Sequence, residues 1–209
     1  ARAFLSQILL GVGAIDEATV AAEEGLAVGR AQLPQFAGMC LARLALAQIA
    51  ADDVAAAAAL LDDPLLEGTR QQAFVEIDVT LARIALALAG GEPAAALAQA
   101  DTAAQRLEET NGVIWLPEVL RARAQALAAL GRPTEAIAAL ASAASVARAA
   151  GARGLLWSHL IELAGAQARL GDNAAAVTRR EADAELEYVR QNTWPDALCA
   201  ALQRANETH

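Results

Sequence analysis

The sequence predicts an all-α fold, a superhelical solenoid of helix-turn-helix hairpins with a period of about 40 residues and a capping helix at its C-terminal end. Three observations predict it. Hydrophobic residues make up 56% of the 209-residue chain but aromatics only 3%, and alanine, the best helix former and a poor core filler, supplies much of the apolar count. Valine, isoleucine, threonine and aromatic residues are too scattered for a sheet. The third observation is an internal repeat, which decides the fold wherever it occurs. Leu41-Ala42-Arg43 returns as Leu81-Ala82-Arg83 and as Arg121-Ala122-Arg123. Gly91, Gly131 and Gly171 keep the same step, with Ala51 in the equivalent place one repeat earlier, and alanine stands five residues after each: Ala56, Ala96, Ala136 and Ala176.

The best copy of the unit shows why it is a hairpin. Its first helix runs from about Leu116 to Leu130, with Leu120, Ala124 and Leu127 spaced to share one face. Gly131 can take the left-handed conformation that ends the helix, and Pro133 suits the first turn of the next. The second helix continues to about Ala150 with Ala136, Leu140 and Ala143 inward, and the small Ala124 and Ala136 allow close approach of the two backbones. The same register predicts one helical-repeat domain over 1–209, with hairpins at about 1–32, 35–62, 70–110, 114–150 and 154–191. In the first of these, Gly13-x-x-x-Glu17-Ala18 echoes Gly131-x-x-x-Glu135-Ala136 two residues out of step. Asp62-Asp63-Pro64 and Thr110-Asn111-Gly112 read as turns between hairpins. Trp194-Pro195-Asp196 opens the predicted cap, residues 195–207, with Leu198, Ala201 and Leu202 inward.

These residues resemble a family. Leu130-Gly131-x-x-x-Glu135-Ala136, the small pair Ala124 and Ala136, and the further Ala143 are similar to the tetratricopeptide pattern, whose usual repeat is about 34 residues. The longer period resembles the variety found in bacterial signalling proteins: MalT-like regulators with a nucleotide-binding switch, and the C-terminal region of class III adenylate and guanylate cyclases with an ATPase-like domain. Pro117-Glu118-Val119-Leu120-Arg121-Ala122-Arg123-Ala124 and Trp194-Pro195-Asp196-Ala197-Leu198 are especially similar to the cyclase-associated version. The resemblance implies a non-catalytic protein–protein interaction or sensor module, the C-terminal regulatory domain of a larger bacterial signal-transduction protein. The alternative it implies is the inducer-sensing domain of a MalT-like transcriptional regulator, which binds a small molecule.

Charge and composition narrow the functions. The net charge is −9, and all 16 basic residues are arginine. An acidic chain lacks the basic stripe of a nucleic-acid surface. The missing lysine removes the phosphate-loop lysine and every Schiff-base mechanism. No apolar run reaches the roughly 18 residues of a membrane span. Cys40 and Cys199 make no disulfide framework, so a reducing, cytoplasmic setting is expected. The chain begins with Ala1 and holds a single methionine, Met39, so it is expected to be a piece of a longer protein. Phe4, Leu5, Ile8, Leu9 and Leu10 are then expected to pack on a second copy or on a further domain, and self-association through this end is one expected partnership. No cofactor is expected.

Candidate site residues fall on the first helices of the hairpins. Arg43, Arg83 and Arg123 occupy one place in three successive repeats, with Arg121 and Arg169 on equivalent helices. A line of arginines can grip an acidic peptide or an anionic ligand in a concave groove. The competing reading buries each arginine beside its packing neighbour, Leu44, Ile84 or Ala124, and pairs it with a carboxylate. Those neighbours, and Leu163 in the fourth repeat, favour the structural reading. Glu118 belongs to the same stretch as Arg121 and Arg123. Trp115 and Trp157, with Phe74 in a similar place, stand at the starts of such helices and can anchor a peptide or fill space between hairpins. His159, with Glu162 one turn on, lacks partners for a zinc set and is expected at a surface or an interface. Adjacent carboxylates at Glu23-Glu24, Asp52-Asp53, Asp62-Asp63 and Glu108-Glu109 point about 100° apart and form no shared acid/base centre. Gly11-Val12-Gly13 lacks the strand and third glycine of a nucleotide loop and reads as a hairpin turn. No catalytic residue and no metal ligand is assigned.

Overall fold

The computed structural model describes residues 2–69 and 73–192. Among these the regular elements are all helical: α1 (Arg2–Gly11), α2 (Ile15–Gln32), α3 (Pro34–Ala50), α4 (Val54–Leu61), a 3-10 turn (Pro64–Thr69), α5 (Ala73–Ala89), α6 (Pro93–Glu109), α7 (Leu116–Ala129), α8 (Pro133–Ala149), α9 (Arg153–Arg169) and α10 (Ala175–Asn192). The expected capping helix at 195–207 lies outside the described residues. None of the described helices is long and apolar enough to cross a membrane.

One piece of local chemistry recurs along the chain. The last turns of α1, α3, α5, α7 and α9 each pass through a residue of positive φ: Gly13, Asp52, Gly91, Gly131 and Gly171. In each case the next amide reaches back to the carbonyl five residues earlier, as Ala14 to Leu9 (2.9 Å), Asp53 to Gln48 (2.8 Å), Glu92 to Ala87 (2.8 Å), Arg132 to Leu127 (2.9 Å) and Asp172 to Gln167 (3.0 Å). That bond closes a helix end and satisfies carbonyls that the helix itself leaves open. The left-handed position of the second turn is Asp52, not the Ala51 that a strict 40-residue step selects. The first two steps are therefore 39 residues, which accounts for the two-residue offset of the Gly13 motif. Aspartate tolerates this conformation far better than alanine, because its short polar side chain can bond locally. Its neighbour Asp53 then caps α4, the carboxylate accepting from the Ala56 amide at 2.9 Å.

The chain divides into two compact units, Ala1–Glu92 and Pro93–His209. In the first, α1 packs on α2, α2 on α3, and α3 on both α4 and α5. Its core contains Leu41, Ala45, Leu61, Val75 and Ala82. The α2–α3 crossing depends on glycine: a Cβ on Gly29 would stand 3.0 Å from the Ala37 Cα. On α1, Phe4 and Ile8 are exposed, whereas Leu5, Leu9 and Leu10 are partly buried. In the second unit, consecutive helices α6 to α10 pack in chain order, and α7 also meets α9. Here Ala124, Leu127, Ala136, Leu140 and Leu163 form one buried cluster. The inward alanines allow the helices to lie close, and the leucines between them supply most of the apolar area removed from water.

Candidate binding site

In the second unit, the α7–α9 contact carries a polar cluster within an otherwise apolar packing. Glu118, Arg121 and Gln125 lie three and four residues apart and so share one face of α7. His159 and Glu162 take the corresponding relation on α9. Glu118 sits in the first turn of α7, where the helix dipole favours a carboxylate. Arg121 donates to the Glu118 carboxylate at 3.3 Å and to Glu162 at 2.7 Å. Gln125 donates to the second Glu162 oxygen at 3.4 Å. The side chains of Glu118, Arg121 and Glu162 retain 14%, 35% and 31% of their exposure, so the group is within reach of solvent. Partial burial works against the Arg121 charge, but the two carboxylates and the hydrogen bonds they accept more than offset it, raising the guanidinium pKa above its ordinary value.

For His159 the sequence left a surface or an interface open, and the structure excludes the first. The residue's relative exposure is 0%, and neither Nδ1 nor Nε2 has a hydrogen-bond partner. Burial lowers the imidazole pKa to about 4; Glu118 opposes that shift, Arg121 adds to it and Glu162 opposes it. All three charges therefore bear on the ring, which is neutral at pH 7. A signal was present in the sequence, since His159 lies between the apolar pairs Leu156-Trp157 and Leu160-Ile161, one turn before Glu162. Two more orphaned groups lie on α9, the Trp157 indole N–H and the Gln167 side-chain amide oxygen.

The arginine column has three different environments. In the first unit, Arg43 is buried and donates to Asp78 of α5 at 2.5 Å, with side-chain exposures of 8% and 3%. Arg83 is exposed and has no ion-pair partner among the described residues. In the second unit, Arg123 is partly buried and donates to Asp101 of α6 at 2.5 Å. Burial with a carboxylate thus holds for Arg43, holds in part for Arg123 and fails for Arg83. Arg169 is exposed at the end of α9. Trp115 is partly buried just before α7, while Trp157 is 4% exposed, so the two rings do not form a matched pair at an edge. The side chain of Phe74 lies outside the described residues. Gly11-Val12-Gly13 forms the turn after α1, as its pattern predicts. Among the described residues no three His, Cys, Asp or Glu side chains are grouped to hold a metal ion. Cys40 is a buried free thiol whose pKa burial raises.

Of the residues the sequence singled out, the structure joins Glu118, Arg121 and Glu162 directly and adds Gln125 to them. No protein-family model matches the chain, and no curated protein matches its sequence. Chemically, the cluster offers two carboxylates and the guanidinium they share, while the His159 imidazole on the same helix as Glu162 is wholly buried.

Proposed function

We propose that this chain is a cytoplasmic, tetratricopeptide-like solenoid that works as a non-catalytic interaction module, binding a protein or peptide partner through the face where α7 meets α9. The observation that carries this reading is the partly exposed Glu118–Arg121–Glu162 cluster at the α7–α9 contact, with the buried, unpartnered His159 one turn before Glu162 on α9. Buried polar groups without partners are rare in folded proteins, and each calls for a cause such as a ligand or an ordered water. The left-handed turns, recurring every 39 or 40 residues, support the repeat reading, because they give successive hairpins one connection geometry. By the resemblance of its repeats, the module serves as the regulatory part of a larger bacterial signalling protein.

Selection of random short peptides against the immobilised full chain tests this. Convergent families with micromolar Kd are expected, and hydrogen exchange of a complex is expected to show new protection on α7 and α9. A selection without convergence, or protection confined to other helices, would sink the reading.

A further inference from the structure

We propose that the outward side of the α1–α2 pair docks an amphipathic helix of a partner protein, with alanine or glycine at three- and four-residue spacing on its inner side and basic residues on its outer side. This face lies in the first unit, and it does not depend on the α7–α9 reading.

Four exposed apolar side chains build the face. Phe4 and Ile8 lie one turn apart on α1, which carries no charge after Arg2. On α2, Val20, Glu24 and Val28 are four residues apart and share one side of the helix. Arg2 of α1 pairs with Glu24 at 2.7 Å, so that side of α2 borders α1. Phe4, Ile8, Val20 and Val28 keep between 48% and 58% of their exposure. Apolar residues scattered singly over a surface mean little, but a group of four along one helix pair marks a docking surface. The two charges that stand among them, Arg2 and Glu24, neutralise each other.

The packing of the other hairpins shows what such a face receives. Each later first helix seats against the second helix of the hairpin before it: α3 on α2, α5 on α4, α7 on α6 and α9 on α8. As the first helix of its own hairpin, α1 packs on its partner α2 and on the following α3, and its outward side is left as an open seat of the same kind. The helices that fill these seats bring small residues. Ala18, Ala22 and Gly25 of α2 are buried, as are Ala139, Ala143 and Ala147 of α8. A small-residue side lets larger side chains such as Phe4 and Ile8 settle between the turns of the incoming helix. Charge decides against a second copy as the occupant. Residues 1–92 carry 12 acidic groups against 5 arginines, so two copies meeting here bring like charges together. A helix with basic residues on its outer side is attracted instead.

The probe is a synthetic peptide of residues 133–149, the α8 sequence, with Ser142→Lys and Ser145→Lys on its exposed side. Methyl signals of Ile8, Val20 and Val28 are followed in carbon–proton spectra of the full chain as the peptide is added. Saturating shifts with a micromolar Kd are expected. The peptide without lysines is expected to bind about threefold more weakly at low salt, and one with Ala139→Glu and Ala143→Glu not at all. In the chain, Phe4→Glu with Ile8→Glu is expected to abolish the shifts of Val20 and Val28 with helix content unchanged, since both positions are exposed. The milder Ile8→Ala is expected to weaken binding about threefold. Sedimentation of the chain alone is expected to give a monomer. No shift at these methyls, equal shifts from the glutamate peptide, or full binding by the doubly substituted chain overturns the inference. A dimer that Phe4→Glu with Ile8→Glu dissolves overturns it too, and makes a second copy the occupant. None of these failures touches the α7–α9 reading.

Discussion

At the scale of single residues, equal sequence position does not confer equal role. Arg43 and Arg83 stand 40 residues apart in one register, yet one is sealed against Asp78 and the other faces solvent. Replacing Arg43 by alanine leaves the Asp78 carboxylate buried without its guanidinium, which costs about 3 kcal/mol or more. Replacing Arg83 exchanges one exposed side chain for another and is expected to stay within about 0.5 kcal/mol. Urea denaturation of the two variants makes the comparison. Equal losses would show that all the arginines of the column are structural.

At the scale of elements, the turns carry the regularity. Gly131 has φ of +71° and nothing within 4 Å of where a Cβ would stand. Gly131→Ala is therefore a purely conformational change, expected to cost about 1 kcal/mol. Asp52 occupies the same place with φ of +65° and already bears part of that strain, so Asp52→Gly is expected to be neutral or to stabilise by a few tenths of a kcal/mol. Thermal melts decide between these outcomes. A larger loss from Asp52→Gly than from Gly131→Ala would mean that side-chain bonding, not backbone conformation, sets this turn. The helices themselves were legible in the sequence because alanine-rich apolar spacing and turn residues are local signals. The one-residue shift from Ala51 to Asp52 was not, since an exact repeat concealed a step of 39.

At the scale of the whole molecule, acidity is uneven. Residues 1–92 carry 12 acidic groups against 5 arginines, whereas residues 93–209 carry 13 against 11. Acidification towards the isoelectric point near 4.7 lowers the net charge and relieves self-repulsion. His159 acts in the opposite sense. Its pKa falls from 6.5 to about 4 in the folded chain, so between those values the unfolded chain binds more protons. The stability that this residue contributes is full above pH 6.5 and is lost as pH falls towards 4, by on the order of 3 kcal/mol. Charges from α7 (Glu118 and Arg121) and from α9 (Glu162) also face the ring, so the measurement is a difference between the parent chain and His159→Leu. Denaturation from pH 7 to pH 4 is expected to show a steeper loss for the parent. Parallel curves would mean that the ring is solvated or paired in solution.

The sequence by itself determined the helices among the described residues, their order, the glycine turns that end several of them and the alanine faces on which they pack. Each of these follows from preferences of a few neighbouring residues, which act wherever the segment lies. It also placed Glu118 and Arg121 among the residues to watch. Only the tertiary structure decided which polar groups are buried and with whom. Arg43 meets Asp78 from 35 positions away, and Arg121 meets Glu162 from 41. His159 lost its contact with water because α9 is covered on nearly every side. Burial and pairing depend on which other segments arrive at a residue, and that is settled by packing between helices rather than by any local pattern.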